Sequence, residues 1–200
     1  LIWLVLNSFK TTTEFQLNRL GFPKKWTTLN YTYAWVKGNF PTMIMNSVIY
    51  TGITTVVTLI FSMMASFAFA KIANKATPFL HGSFVIGLLL TLQSIMVPLF
   101  LLANWAHLYN TRLGVLIPYI GIAMPMGIYL CTEYIKSIPT ALVESARIDG
   151  ATYFKIFGAI IVPMAAPVAT TVAIMTVTGT WNEFMLINIL TSKESLKSLP

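Results

Sequence analysis

Charged residues are missing from four long blocks of the chain: Gly38 to Ala70, Gly82 to Thr111, Leu113 to Thr132 and Ile156 to Asn182. A helix needs roughly 20 predominantly apolar residues to cross a bilayer core, and each block reaches that length. The blocks predict helices over Met43 to Ala70, Ser83 to Ala103, Leu113 to Cys131 and Ile160 to Thr180. A fifth apolar scrap, Leu1 to Leu6, reads as the end of an earlier span. The expected fold is all-α, a polytopic transmembrane helix bundle with about four complete spans. Residues 1–200 are expected to form one domain. The chain starts without Met and stops at Leu199-Pro200, so it reads as part of a longer protein lacking most of a span at each end.

Between the blocks lie polar connectors. Asn7 to Lys37 is mixed in charge and predicts an ordered loop outside the bilayer; Lys71 to His81 is a short basic link. Trp105 to Arg112 is a loop that puts Trp105 and Tyr109 at interface depth, where such amphipathic rings collect. Pro98, Pro118 and Pro125 fall inside the predicted spans. A bundle tolerates such prolines when neighbours satisfy the freed carbonyl, and Pro98 predicts a bend.

Composition removes most function classes. The chain is 56% apolar and 10% charged with mean hydropathy +0.73, whereas soluble domains carry about 25% charge. The net charge of +7 sits in the connectors, which points to anionic lipid headgroups rather than nucleic acid. No Asp, Glu, Lys or Arg lies deep in a complete span, against a proton relay or voltage sensor. One cysteine, Cys131, and two isolated histidines, His81 and His107, give no disulfide and no metal-ligand spacing. There is no glycine-rich phosphate loop and no Ser/His/Asp set. The chain is not expected to be an enzyme or to hold a cofactor.

The polar segment Ile138 to Pro163 departs from this pattern. Ile138-Pro139 ends the preceding helix, because a residue before proline avoids the α region. Thr140 or Ser137 can cap the next helix. Leu142, Val143 and Ala146 then share one face, with Glu144 and Arg147 elsewhere, and Gly150 supplies a stop. Ala151 to Phe157 restarts with Tyr153, Phe154 and Phe157 available for burial. One reading is a helix lying on the membrane, with Glu144 and Arg147 as an i,i+3 pair. Interfacial helices carry a cationic face and bulky anchors. Here Glu144 and Asp149 offset Arg147 and the apolar side is small, which suits a protein groove better.

Glu144-Ser145-Ala146-Arg147-Ile148-Asp149-Gly150-Ala151, followed by Ile160-Ile161-Val162-Pro163, resembles the EAA loop of ABC importer membrane subunits. Ser145 stands at the middle alanine, and Ala141 and Val143 replace acidic residues frequent in that family. Val97-Pro98-Leu99-Phe100, Tyr109-Asn110-Thr111-Arg112-Leu113-Gly114 and Thr180-Trp181-Asn182-Glu183-Phe184 resemble its carbohydrate-uptake branch, in the maltose-type second permease subunit. The resemblance implies a bacterial or archaeal inner-membrane permease subunit that transports a sugar or oligosaccharide. Implied partners are a second permease subunit, cytoplasmic ATP-binding subunits and an extracytoplasmic solute-binding protein. It implies a cytoplasmic coupling segment, 138–163, whose helix docks in an ATPase cleft. Glu144 would meet a basic residue there, Ser145 and Ala146 would permit close approach, Arg147 and Asp149 would flank them, and Gly150 would make the turn.

That topology puts five cations inside (Lys71, Lys75, Lys136, Arg147, Lys155). It puts eight outside (Lys10, Arg19, Lys24, Lys25, Lys37, Arg112, Lys193, Lys197). This reverses the positive-inside bias. For the solute pathway the polar candidates are Gln93, Asn104, Thr176 and Asn182; the alternative is that they bond across helices. The competing function is a secondary transporter or channel with no ATPase partner, against which the lack of buried charge counts.

Overall fold

The structure, a computed structural model, describes residues 1–72 and 74–199. Among these it contains helices and turns and no strand. Three short helices open the chain: α1 (Ile2–Ser8), α2 (Thr12–Leu17) and α3 (Leu29–Val36). They are followed by α4 (Phe40–Lys71), α5 (Thr77–Gly87), α6 (Leu92–Trp105), α7 (Arg112–Ser137) and α8 (Thr140–Ile148). Next come α9 (Tyr153–Ile156), a π-helical turn (Phe157–Ile161), α10 (Val162–Met164), α11 (Ala166–Trp181) and α12 (Met185–Leu190). A 3₁₀ turn, Glu194–Leu196, lies near the end.

The longest helix, α4, is polar inside and apolar outside. Ser47, Thr51, Thr54, Thr55, Thr58, Ser62 and Ser66 are buried, and they recur every three or four residues on one face. Val48, Ile53, Val56, Ile60 and Phe61 are exposed. A water-soluble helix has the opposite distribution. In lipid the apolar face needs no cover, and small hydroxyl side chains let helices approach closely. The partner across that face is chiefly α7. A Cβ on Gly127 would fall 2.4 Å from Ser62 Oγ, and Ser66 Oγ donates to the Ile128 carbonyl at 3.0 Å. The hydroxyls of Thr51, Thr54, Thr55, Thr58 and Thr132 are buried without a hydrogen-bond partner among the described residues.

Two apolar clusters hold the two ends of the bundle. One joins Met63 and Phe67 of α4, Cys131 and Ile135 of α7, Ile156 of α9, and Val168 and Val172 of α11. The other joins Tyr50 of α4, Ala103 of α6, Val115 and Tyr119 of α7, and Leu186, Ile187 and Leu190 of α12. Helix α7 connects them, and its 26 residues rise about 39 Å at 1.5 Å each.

Two predicted spans are straight and two are broken. Helices α4 and α7 are each long and apolar enough to cross a membrane alone. The expected Ser83 to Ala103 span is instead α5 and α6, bent by 103°. The bend falls at Leu88 to Thr91, not at Pro98, which stays inside α6. Thr91 leaves the helix with extended backbone and starts α6 as its N-cap. The expected Ile160 to Thr180 span is also bent, by 75°, between α10 and α11. The break is at Ala165, between Pro163 and Pro167, whose rings and missing N–H groups interrupt the ladder. Counting each bent pair as one span gives the four predicted.

The polar region 7–37 is ordered. Lys10 is buried and donates from Nζ to the Asn18 carbonyl at 2.7 Å. Asn30 Nδ2 ties the same turn through the carbonyls of Ser8 and Lys10. Phe9 packs between Trp26 and Tyr31, each ring centroid 5.4 Å away.

Candidate functional site

Helix α8 leaves α7 through a sharp corner. Pro139 is its N-cap residue, and its carbonyl accepts from Leu142 N at 3.2 Å. Neither predicted cap is used. Thr140 is already helical, and Ser137 Oγ donates back to the Tyr134 carbonyl. The Lys71 ammonium donates to the Ile138 carbonyl, pinning the end of α4 to the same corner.

The far end of α8 is a Schellman stop. Gly150 N–H reaches the Arg147 carbonyl at 3.0 Å and Ala151 N–H the Ala146 carbonyl at 2.9 Å, with Gly150 at φ +80°. The chain re-enters a helix at once, because Thr152 caps α9 through its hydroxyl.

One face of α8 belongs to the bundle. Val143 and Ala146 are buried in the cluster that also holds Phe67, Ile135, Ile138 and Ile156. Ala146 therefore packs inward and is not on the outer surface expected of it. Leu142 is half exposed rather than sharing their burial. Glu144, Ser145, Arg147, Ile148, Asp149 and Gly150 are exposed. Arg147 does not pair with Glu144. Its guanidinium lies 4.4 Å from the centroid of the Tyr153 ring, a contact worth about 0.5–1 kcal/mol at an exposed site. Among the described residues no ion pair reaches Glu144, so its carboxylate projects unpaired. In the restart, Ile156 is fully buried, while Phe154 is 81% exposed and Tyr153 half exposed. The three aromatics expected to bury do not do so together.

The opposite end of the bundle is closed by the last residues. Asn110, in the left-handed region at φ 59°, accepts on Oδ1 from the backbone N–H groups of Ser192 and Lys193. Asn46 Nδ2 donates to the carbonyls of Ser195 and Lys197, and Tyr50 Oη to that of Leu196. Asn46 and Tyr50 therefore hold the 191–199 segment. Asn110→Ala is expected to loosen that segment, with about tenfold faster tryptic cleavage at Lys193, because the Ser192 and Lys193 backbone donors lose the acceptor that holds them. Native cleavage rates in the variant would refute this role.

A cavity of about 280 Å³ opens between α7 and α11. Tyr119, Thr176, Thr180 and Glu183 are its polar lining, among apolar side chains that include Met126 and Met175. A larger void of about 490 Å³ between α5–α6 and α7 is lined only by apolar residues, glycine and proline. It offers a polar solute nothing to bond. Of the four pathway candidates, only Thr176 reaches the polar cavity. Asn104 and Asn182 are exposed and donate to carbonyls of their own helices, Phe100 and Thr178. Gln93 is exposed beside the cavity-lining Leu92. Tyr119, Thr180 and Glu183 escaped the sequence reading. The available signal was the i, i+4 spacing of Thr176 and Thr180, which puts two hydroxyls on one face of α11; Glu183, beyond the end of that helix, gave none.

An apolar-outside helix bundle with a half-exposed polar helix packed at one end is the architecture of a membrane-embedded subunit. The chain belongs to the family of binding-protein-dependent transport system inner membrane components, matching over residues 26–200. It is similar to ORF2 of Caldicellulosiruptor sp. (strain Rt8B.4), named for an ABC transporter permease. That protein is 34% identical over 200 residues, covering 100% of this chain and 72% of its own length. The trehalose transport system permease protein SugB of Mycobacterium tuberculosis (strain CDC 1551 / Oshkosh) is 30% identical over 199 residues. It covers 100% of this chain and 72% of its own length. The fold matches a chain of a bacterial ABC transporter involved in importing the acidic polysaccharide alginate. The TM-score is 0.83 at 23% identity, over 98% of this chain and 69% of that one. The chain is thus a multi-pass permease subunit of an ABC transporter.

Proposed function

We propose that this chain forms half of the transmembrane pathway of an ATP-driven importer for a sugar or oligosaccharide. A second permease subunit completes the pathway, and cytoplasmic ATP-binding subunits, not this chain, hydrolyse ATP. An extracytoplasmic binding protein delivers the solute at the end closed by residues 191–199. The carrying observation is α8, with an exposed polar face and a buried Val143–Ala146 face continuous with the bundle core. Residues 138–163 are the coupling segment, on the cytoplasmic side. Glu144, unpaired here, supplies the anion for a basic residue of the ATPase cleft. Ser145, Arg147 and Asp149 complete the exposed surface, and Gly150 turns the chain out of it.

The mechanism is mechanical. Closure of the ATPase pair displaces α8, and α8 carries α4, α7 and α11 with it through their shared apolar cluster. An ATPase can shift the equilibrium only by its differential affinity for the two states of the bundle. The anchoring by Val143, Ala146 and the Lys71–Ile138 bond makes α8 a rigid handle rather than a tethered loop.

The test is uptake into proteoliposomes holding the complete transporter. Glu144→Lys is expected to lower ATP-driven uptake about tenfold or more, the loss attached to one charge-assisted contact, with membrane abundance unchanged. Uptake that continues at its native rate with no ATPase subunit present would refute the proposal.

A further inference from the structure

Helix α11 carries five threonines, and their hydroxyls divide into two sets. Thr170, Thr171 and Thr178 donate to carbonyls of their own helix, those of Ala166, Pro167 and Ile174. Thr176 and Thr180 line the cavity against α7, and neither hydroxyl has a partner among the described residues. Thr176 is 7% exposed. Each hydroxyl is free to bond to a molecule that enters the cavity.

Glu183 follows just beyond the end of α11 and lines the same cavity. Its Oε2 accepts from the Tyr119 hydroxyl at 2.9 Å and its Oε1 from Leu186 N at 2.7 Å. Both donors are neutral, and no cation pairs with Glu183 among the described residues. A carboxylate has about four acceptor sites, so two remain for a ligand. Thr176 and Thr180 lie at i and i+4, a rise of about 6 Å along one face of α11. Apolar side chains, among them Met126, Leu130, Val172 and Met175, and two glycines make up the rest of the wall.

We infer that this row is a solute subsite, in which the hydroxyl groups of a passing sugar bond to Thr176, Thr180 and Glu183. The match is chemical. A sugar ring presents several hydroxyls at spacings of a few ångströms and apolar C–H faces between them. The cavity presents separated oxygens with an apolar wall between them. Tyr119 is a positioning residue that holds the Glu183 carboxylate over the cavity. This site rests on the importer reading above and specifies where in this chain the solute is bound.

The experiment uses the complete transporter in proteoliposomes. Radiolabelled trehalose, maltotriose, arabinotriose and diacetylchitobiose are the probes. Thr176→Val and Thr180→Val keep side-chain volume and delete a hydroxyl. Each is expected to raise the KM of the transported sugar about 3- to 10-fold, the loss of one hydrogen bond. The maximal rate, the membrane abundance and the ATPase activity without sugar stay native. Thr178→Val, whose hydroxyl serves its own helix, leaves KM unchanged. A second measurement uses Thr180→Cys, since the sole native cysteine, Cys131, is fully buried. A water-soluble maleimide is expected to label Cys-substituted 180, and the transported sugar to slow that labelling. Native KM in both valine variants, or labelling that the sugar does not slow, overturns the subsite and leaves the importer reading intact. Transport of none of the four sugars by the native protein overturns the carbohydrate reading and this subsite together.

Discussion

Gly150→Val is expected to abolish ATP-driven uptake while leaving the chain in the membrane. Gly150 sits at φ +80°, in the left-handed region that costs a non-glycine residue roughly 1–2 kcal/mol. A β-branched residue is worse placed there than most. No atom lies within 4 Å of the position a Cβ would take. The whole penalty is therefore conformational, and size alone should matter little. Relief comes by giving up the Schellman bonds to Ala146 and Arg147, which swings the exposed end of α8 off its course. Gly150→Asn is expected to keep much of the activity, because asparagine tolerates this backbone, and Gly150→Ala should fall between. Uptake by proteoliposomes, normalised to membrane abundance, checks the series. Equal activity of the valine and asparagine variants would show that the left-handed turn is irrelevant to transport.

The second large effect is in the bundle itself. Gly127→Ala is expected to destabilise the protein by about 1–3 kcal/mol, the usual cost of overpacking. The added Cβ would meet Ser62 Oγ at 2.4 Å and Ser62 Cβ at 3.1 Å, with Val172 Cγ1 at 3.4 Å behind them. Ser62 cannot retreat far, because it is fully buried. Ser62→Gly in the same chain should restore most of the loss. The pair should therefore be strongly non-additive, as contacting residues are. Thermal unfolding in detergent of the four proteins in the cycle measures this. Additive effects would mean that α4 and α7 do not meet as closely as described.

Much of this was legible in the chain beforehand, for reasons that differ from residue to residue. The straight spans were legible because the lack of charge from Gly38 to Ala70 and from Leu113 to Thr132 leaves lipid as the natural surroundings. The stop at Gly150 was legible because one residue type fits a left-handed turn best. The bend before α6 was not, since Leu88, Leu89 and Leu90 are good span residues and Pro98 drew attention instead. Burial within a bundle was hidden for a related reason. In lipid, hydrophobicity does not say which side faces in, so the serine–threonine seam of α4 and the cavity face of α11 gave no contrast of the usual kind. What marks those faces is helical spacing of small and hydroxyl-bearing residues. Arg147 shows the remaining gap. Spacing paired it with Glu144, whereas the turn at Gly150 brought an aromatic ring within reach.

The seam also bears on how readily the bundle can change shape. Leucine-to-leucine interlocking resists sliding because every displaced knob must find another hole. Short hydroxyl side chains present a smooth track, and those of Thr54 and Thr58 give up no bond when they move. The bulky residues on the far side of α4 exchange one hydrocarbon neighbour for another. Displacement of α4 along α7 would therefore break the Ser66–Ile128 bond but none at Thr54 or Thr58.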